Sequence, residues 1–196
     1  MFSPAAERNK EPILSALRTI LPKNPSVLEV ACGSLQHAIY FCASNPEWRW
    51  QPTDVSEQAL DHGRSLADAL PANVAMPTFL DVTVSPWPIS SVTAVYAANL
   101  LHIAPLAVVE SIFRGAASLV PRADQVIIYG PFKINGQHTA ASNAEFDQNL
   151  QAQNPEWGIR NMEYVVKQGF DYGFSLSSQL PMPANNWLLH FAAAES

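Results

Sequence analysis

Three carboxylates frame the chemistry open to this chain. Glu29 lies inside the apolar stretch Val27-Leu28-Glu29-Val30-Ala31, and Asp54 and Asp81 each follow a later stretch that reads as a strand. The first stretch continues through Cys32-Gly33-Ser34-Leu35 into Gln36-His37-Ala38: a strand, a tight glycine turn and the first turn of a helix. Backbone N–H groups and a carboxylate gathered around such a turn suit a nucleotide-like ligand. Asp54 follows Gly33 by 21 residues, close to the roughly 20 expected of an acid that accepts hydrogen bonds from a ribose. Helix capping is the plainer alternative for Asp54 and Asp81, whereas Glu29, flanked by apolar residues, needs a buried partner. Leu35 stands where such loops usually carry a second glycine, and a side chain there is expected to keep a ligand away from the backbone.

Histidines and late polar residues supply the remaining candidates. His102, three residues after Asn99 at a strand end, has an ordinary pKa of about 6.5, which suits a general base at neutral pH. A structural histidine in an apolar segment is the alternative. His37, at the start of the first crossover helix, lines the cofactor pocket or points to solvent. His138, Asn143, Asn185 and Asn186 fall in late loops that would roof a crevice, with turn chemistry the alternative for the last two. Phe132 and Trp157 are placed to stack on a planar substrate unless they are core.

The elements that must position these groups alternate along the chain. Ser3-Pro4 predicts a helix start, and Ile13, Leu14, Leu17, Ile20 and Leu21 repeat at helical spacing until Pro22. Strands are predicted over 27–31, 48–54, 74–80, 91–97 and 125–129, with helices over 36–43, 57–70 and 106–119. Such alternation argues for an α/β domain with a parallel sheet. A long polar connection from residue 130 is expected to carry helices over 143–152 and 161–168. Two strands, 174–179 and 186–192, then form an antiparallel pair.

Composition narrows the class. A chain of 196 residues that is 48% hydrophobic fits one domain burying roughly 70% of its unfolded surface. The formal net charge of -6 argues against a broad nucleic-acid grip. Cys32 and Cys42 suggest neither a disulfide framework nor a zinc site, and no metal is expected. No secretory leader and no run of about 18 apolar residues is present, which reads as a cytoplasmic protein with no membrane partner.

Several motifs together resemble a family of small, largely uncharacterised methyltransferase-like proteins. They include Ser3-Pro4-Ala5-Ala6-Glu7-Arg8-Asn9-Lys10, the stretch from Val27 to Ala38, Trp50-Gln51-Pro52-Thr53-Asp54, and Ala98-Asn99-Leu100-Leu101-His102. Tyr129-Gly130-Pro131-Phe132, Phe146-Asp147, Asn154-Pro155-Glu156-Trp157-Gly158-Ile159-Arg160 and Met182-Pro183-Ala184-Asn185-Asn186 extend the likeness over almost the whole chain. The resemblance implies a Rossmann-like, three-layer class I S-adenosylmethionine-dependent methyltransferase fold with a mostly parallel seven-stranded sheet and a C-terminal antiparallel hairpin. One domain is expected over 1–196, with an N-terminal helix at 1–22, a cofactor-binding core at 27–129, and a substrate-side insertion and terminal hairpin at 130–196.

Carried over residue by residue, the resemblance assigns Glu29 and Gly33 to the methionine end of S-adenosylmethionine, Asp54 to the ribose, Asp81 and Val82 to the adenine edge, and Asn99 to the floor near the sulfonium. Two positions depart from it: Leu35, where the family carries glycine, and Leu106, where it tends to carry an aromatic residue. The leading expectation is methyl transfer to a small molecule, with His102 as base and Phe132, His138, Asn143, Trp157 and Asn185 around the acceptor. Leu35 motivates an alternative, in which the fold no longer transfers methyl and catalyses a cyclisation, isomerisation or pericyclic step. A non-enzymatic binding module is the third reading.

Overall fold

The computed structural model describes residues 1–90 and 92–194. The N-terminal helix α1 (Pro4–Ile20) begins where Ser3 accepts the Ala6 N–H on its hydroxyl, and it ends at Leu21, which is extended ahead of Pro22. Then follow β1 (Ser26–Val30), α2 (Gln36–Ala43), β2 (Arg49–Asp54), α3 (Glu57–Ser65), β3 (Thr78–Phe79), β4 (Ala94–Ala98), α4 (Ala107–Ser118) and β5 (Gln125–Gly130). Beyond β5 come β6 (Phe132–Ile134), β7 (Gln137–His138), α5 (Ala141–Gln153), β8 (Arg160–Asn161), α6 (Met162–Asp171), β9 (Phe174–Met182) and β10 (Asn186–Ala193). Seven strands form one sheet in the order β3-β2-β1-β4-β5-β10-β9, and β7-β6-β8 form a small second sheet. In the main sheet β10 alone runs against its neighbours.

Alternate residues of each strand serve opposite faces. On β1, Leu28 and Val30 join Val109, Ile112 and Phe113 of α4 and Val165 of α6 in one core. Val27 joins Ile13 and Leu17 of α1 and Ala38 and Phe41 of α2 in the other. Central strands covered on both faces explain why their sequence is almost continuously apolar. The result is a three-layer α/β fold with a mostly parallel sheet.

Several expected boundaries need correction. The third strand, expected over 74–80, is split. Trp50 exchanges backbone hydrogen bonds with Asn73 and Ala75, and pairing with β2 resumes only at Thr78. Pro77, which has no N–H, stands between the two segments. Helix α3 stops at Ser65 and a short 3₁₀ turn at Ala67–Ala69 replaces its expected last turn. The hairpin link expected over 180–185 is largely strand, because β9 continues to Met182 and the reversal is made by Ala184 and Asn185 at φ 58° and 56°. The three-stranded sheet was not expected at all. The expected strand start at Ser91 lies outside the described residues, as do 195 and 196.

Among the described residues, no helix is long and apolar enough to cross a membrane and no group of three or more His, Cys, Asp or Glu is placed to hold a metal ion. Cys32 and Cys42 are both buried free thiols.

The turn Pro86-Trp87-Pro88 anchors α4. Trp87 donates its indole N–H to the Val82 carbonyl at 3.1 Å, and its ring lies against Gly115, where a Cβ would come within 2.0 Å of it. Gly115→Ala is therefore expected to destabilise the protein by about 1–3 kcal/mol through overpacking, read as a lower denaturant midpoint at unchanged m-value.

Candidate functional site

The loop from β1 to α2 runs through three left-handed residues: Ala31 at φ 57°, Gly33 at 51° and Leu35 at 60°. A non-glycine residue there costs about 1–2 kcal/mol. At Leu35 the opposing effect is burial: the side chain is 0% exposed, which stabilises by about 1.5–3 kcal/mol. Burial therefore matches or exceeds the strain. Leu35 belongs to the core between α1, α2 and the sheet, not to the crevice. Gly63 of α3 makes the room, since a Cβ there would lie 3.2 Å from Leu35 Cδ1 and 2.1 Å from Pro77. The expectation that Leu35 crowds a ligand is thus corrected. At Gly33, by contrast, a Cβ would meet nothing within 4 Å, so that face of the loop is open.

Asp54, at the end of β2, ties this loop to its neighbour. Its Oδ2 accepts the Gly33 N–H and its Oδ1 the Ser56 N–H, each at 2.9 Å. The carboxylate therefore braces the glycine turn and closes an Asx-type turn ahead of α3, whose N-cap Ser56 makes no side-chain cap, and each oxygen keeps a lone pair for another donor. Asp81 caps a turn, with Oδ1 accepting from the Thr83 N–H and hydroxyl; these bonds hold its pKa below the usual value. Val82 is buried. Asn99 sits at φ 56° just past β4, its N–H bonded to the Tyr129 carbonyl.

Glu29 finds its partner in Trp50, whose indole N–H donates to Oε2 at 2.7 Å. Burial pushes this carboxyl up to about 8 against that hydrogen bond. His37 Nδ1 lies 4.0 Å from Glu29 Oε1, yet burial pushes the imidazole down to about 4. At neutral pH a neutral acid faces a neutral imidazole, and no salt bridge exists. His37 neither faces solvent nor presents a free nitrogen: Nε2 lies 2.7 Å from Asn9 Oδ1 and Nδ1 3.2 Å from the Tyr96 hydroxyl. With Nε2–H donating to Asn9, Nδ1 accepts from Tyr96.

Asn9 belongs to α1, and Gln36 strengthens the same junction. Its Oε1 accepts from the Ser3 N–H at 2.6 Å and the Ser34 hydroxyl at 2.8 Å, and its amide donates to Glu7 Oε2 at 3.0 Å. The polar start of α1 is thus a docking face for the glycine loop.

His102 lies on a 3₁₀ turn, Leu101–Ile103, beyond β4. It is 6% exposed, beside Gly130, and its ring meets Phe146 edge-on at 5.3 Å. Burial, then the Arg160 charge, push it down to about 4. The ordinary value anticipated from sequence is corrected: His102 is a neutral imidazole across the physiological range.

The roof joins the expected His138, Asn143 and Asn185 to Asp147 and Lys133, for which no role was expected. Asp147 Oδ1 accepts the Ile159 N–H at 2.6 Å, and its Oδ2 meets Lys133 Nζ at 2.6 Å and His138 Nε2 at 3.3 Å. Asn143, buried, donates to the Thr139 hydroxyl and to the backbone carbonyl of the exposed Asn185. Phe132 is 1% exposed in the core, so the expectation that it stacks on a substrate is corrected. Trp157 is half-buried. Asp147 and Arg160 lay in motifs quoted for the family likeness, but nothing in their spacing reveals a shared role.

Residues 1–193 match the family described as a protein of unknown function (DUF938), and the chain belongs to that family. The fold is that of class I methyltransferases. Mitomycin 7-O-methyltransferase MmcR superposes with a TM-score of 0.78 at 13% identity, over 97% of this chain and 54% of that one. An S-adenosylmethionine-dependent methyltransferase, SibL, gives 0.76 at 17% identity, over 97% and 56%. Magnesium protoporphyrin IX methyltransferase from Synechocystis, solved with bound S-adenosylhomocysteine (SAH), gives 0.67 at 15%, over 94% and 82%. The chain spans little more than half the length of the first two.

Because the folded Glu29 carboxyl holds its proton up to about pH 8 while the unfolded one releases it near its ordinary value, Glu29 lowers stability progressively as pH rises through that window. Glu29→Gln keeps an acceptor for Trp50 without the titration. Its thermal midpoint relative to wild type is therefore expected to rise between pH 5 and pH 8, measured by scanning calorimetry at both.

Proposed function

We propose that this chain is an S-adenosylmethionine-dependent methyltransferase acting on a hydroxyl group of a small molecule. The observation that carries the reading is the glycine-loop backbone. Left-handed conformations persist at Ala31, Gly33 and Leu35, Asp54 braces the turn, and the space over Gly33 is open, although two of the three positions carry side chains. The residues present fit the cofactor. Gly33 and Ala31 would hold its methionine end with Glu29 beneath, Asp54 its ribose, Asp81 and Val82 its adenine edge, and Asn99 the floor near the sulfonium. When bound, the cofactor supplies an electrophilic methyl group.

The chain's own contribution is alignment, exclusion of water and one base, an adequate set for methyl transfer. His102 takes the acceptor proton on an imidazole nitrogen; burial and the Arg160 charge keep it unprotonated at physiological pH and make it a weaker base than an ordinary imidazole. His138, Asn143, Trp157 and Asn185 border the acceptor in this reading. A mitomycin 7-O-methyltransferase and an O-methyltransferase family 2 protein solved with apigenin among the similar structures support an oxygen acceptor. Leu35, which motivates a non-methylating alternative, points into the core and lends that alternative no support.

The test is transfer of labelled methyl from S-adenosylmethionine to a panel of small phenols and alcohols. Wild type is expected to methylate at least one, and His102→Ala to lose about 10²–10⁴ in kcat with cofactor affinity unchanged. Wild-type rates in His102→Ala would contradict the base assignment.

A further inference from the structure

Arg160 is quoted above only within a motif and given no role, yet its side chain makes three hydrogen bonds to backbone carbonyls. It stands on β8, half-buried. Its Nε donates to the Leu101 carbonyl at 2.9 Å, and its Nη2 to the Ala104 carbonyl at 2.5 Å and the Glu156 carbonyl at 2.7 Å. Leu101 and Ala104 bracket His102 in the chain. The Gly158 N–H, two residues before Arg160, donates to the His102 carbonyl at 2.9 Å. One short segment therefore grips the turn at Leu101, His102 and Ala104.

The chemistry of the grip is specific. A planar guanidinium with five donors can serve three carbonyls at once, whereas a lysine ammonium has no such fork. No ion pair neutralises Arg160 among the described residues. The acid that acts on it most, Asp147, is already engaged by Lys133 and His138. An uncompensated positive charge is thus set beside an imidazole.

We propose that Arg160 is a positioning residue for His102: its guanidinium fixes the turn that presents the imidazole and keeps a positive charge beside the ring. The catalytic meaning of this rests on the reading of His102 as the base. The lowered pKa of His102, caused by burial and then by Arg160, agrees with it. The groups that bear on the pair are Asp147 on α5, Lys133 on β6, His138 on β7 and Tyr164 on α6; Asp147 and Tyr164 favour the charged form of Arg160.

The test is an NMR pH titration of the His102 ring in the protein without ligands, its signal assigned by loss in His102→Gln. In Arg160→Met the His102 pKa is expected to rise by roughly one unit, the size of a unit charge several Å away in a partly buried site. Arg160→Lys keeps the charge and is expected to stay close to wild type in this titration, while its turnover falls because the fork is lost. Should Arg160→Met not fold, Arg160→Gln keeps amide donors without charge and carries the same expectation. An unchanged His102 titration in a folded neutral variant overturns the proposal, whatever the activity. A raised value supports it even if no methyl transfer is found, in which case the base reading alone fails.

Discussion

The left-handed backbone at residues 31, 33 and 35 is the constraint on which the rest depends. Only glycine adopts that conformation without cost, and two of these positions carry side chains. The loop keeps its path because other interactions hold it. Leu35 is sealed in the core over Gly63, and Asp54 joins the Gly33 and Ser56 N–H groups across the ends of β1 and β2. Cys32 adds its own N–H bond to the Thr53 carbonyl. A side chain that looks like damage in the one-dimensional pattern is therefore part of the device that maintains the loop.

A second layer of support comes from α1. Ser3, Glu7 and Asn9 reach Gln36 and His37, so two motifs whose paired residues lie 28 to 33 apart in the chain form one junction. Buried polar groups in such a junction are matched with little slack: both nitrogens of His37 are used, and Glu29 is tied to Trp50. The insertion between β5 and α6 is held by a parallel arrangement, Asp147 with Lys133 and His138 on one side and Arg160 on the 3₁₀ turn on the other. A separate cavity of about 1020 Å³ at the opposite ends of β1, β2 and β4, bordered by Ser26, Arg49 and Thr93, belongs to neither arrangement.

The sheet was legible because its central strands are buried on both faces and must be continuously apolar, and because Asp54 and Asp81 close theirs. Pro77 could have warned that the third strand is divided, since a missing N–H interrupts any ladder. The small second sheet was not legible: strands of two or three residues carry no periodicity. The direction of Leu35 was hidden for another reason, because a side chain's heading depends on φ, and residue type showed only that a side chain stands where such loops usually carry glycine. The roles of Asn9, Trp50 and Arg160, all inside quoted motifs, were not legible because they are long-range pairings, and polar residues at helix starts and in loops usually face water.

The central claim is that this loop still holds the cofactor its fold implies. Calorimetric titration of the purified protein with S-adenosylhomocysteine tests it without any need to know the acceptor. The account requires one site of micromolar affinity in wild type, weakened at least about tenfold in Asp54→Ala, a loss of about 1.4 kcal/mol. No binding of this ligand or of S-adenosylmethionine to the folded wild-type protein would contradict it.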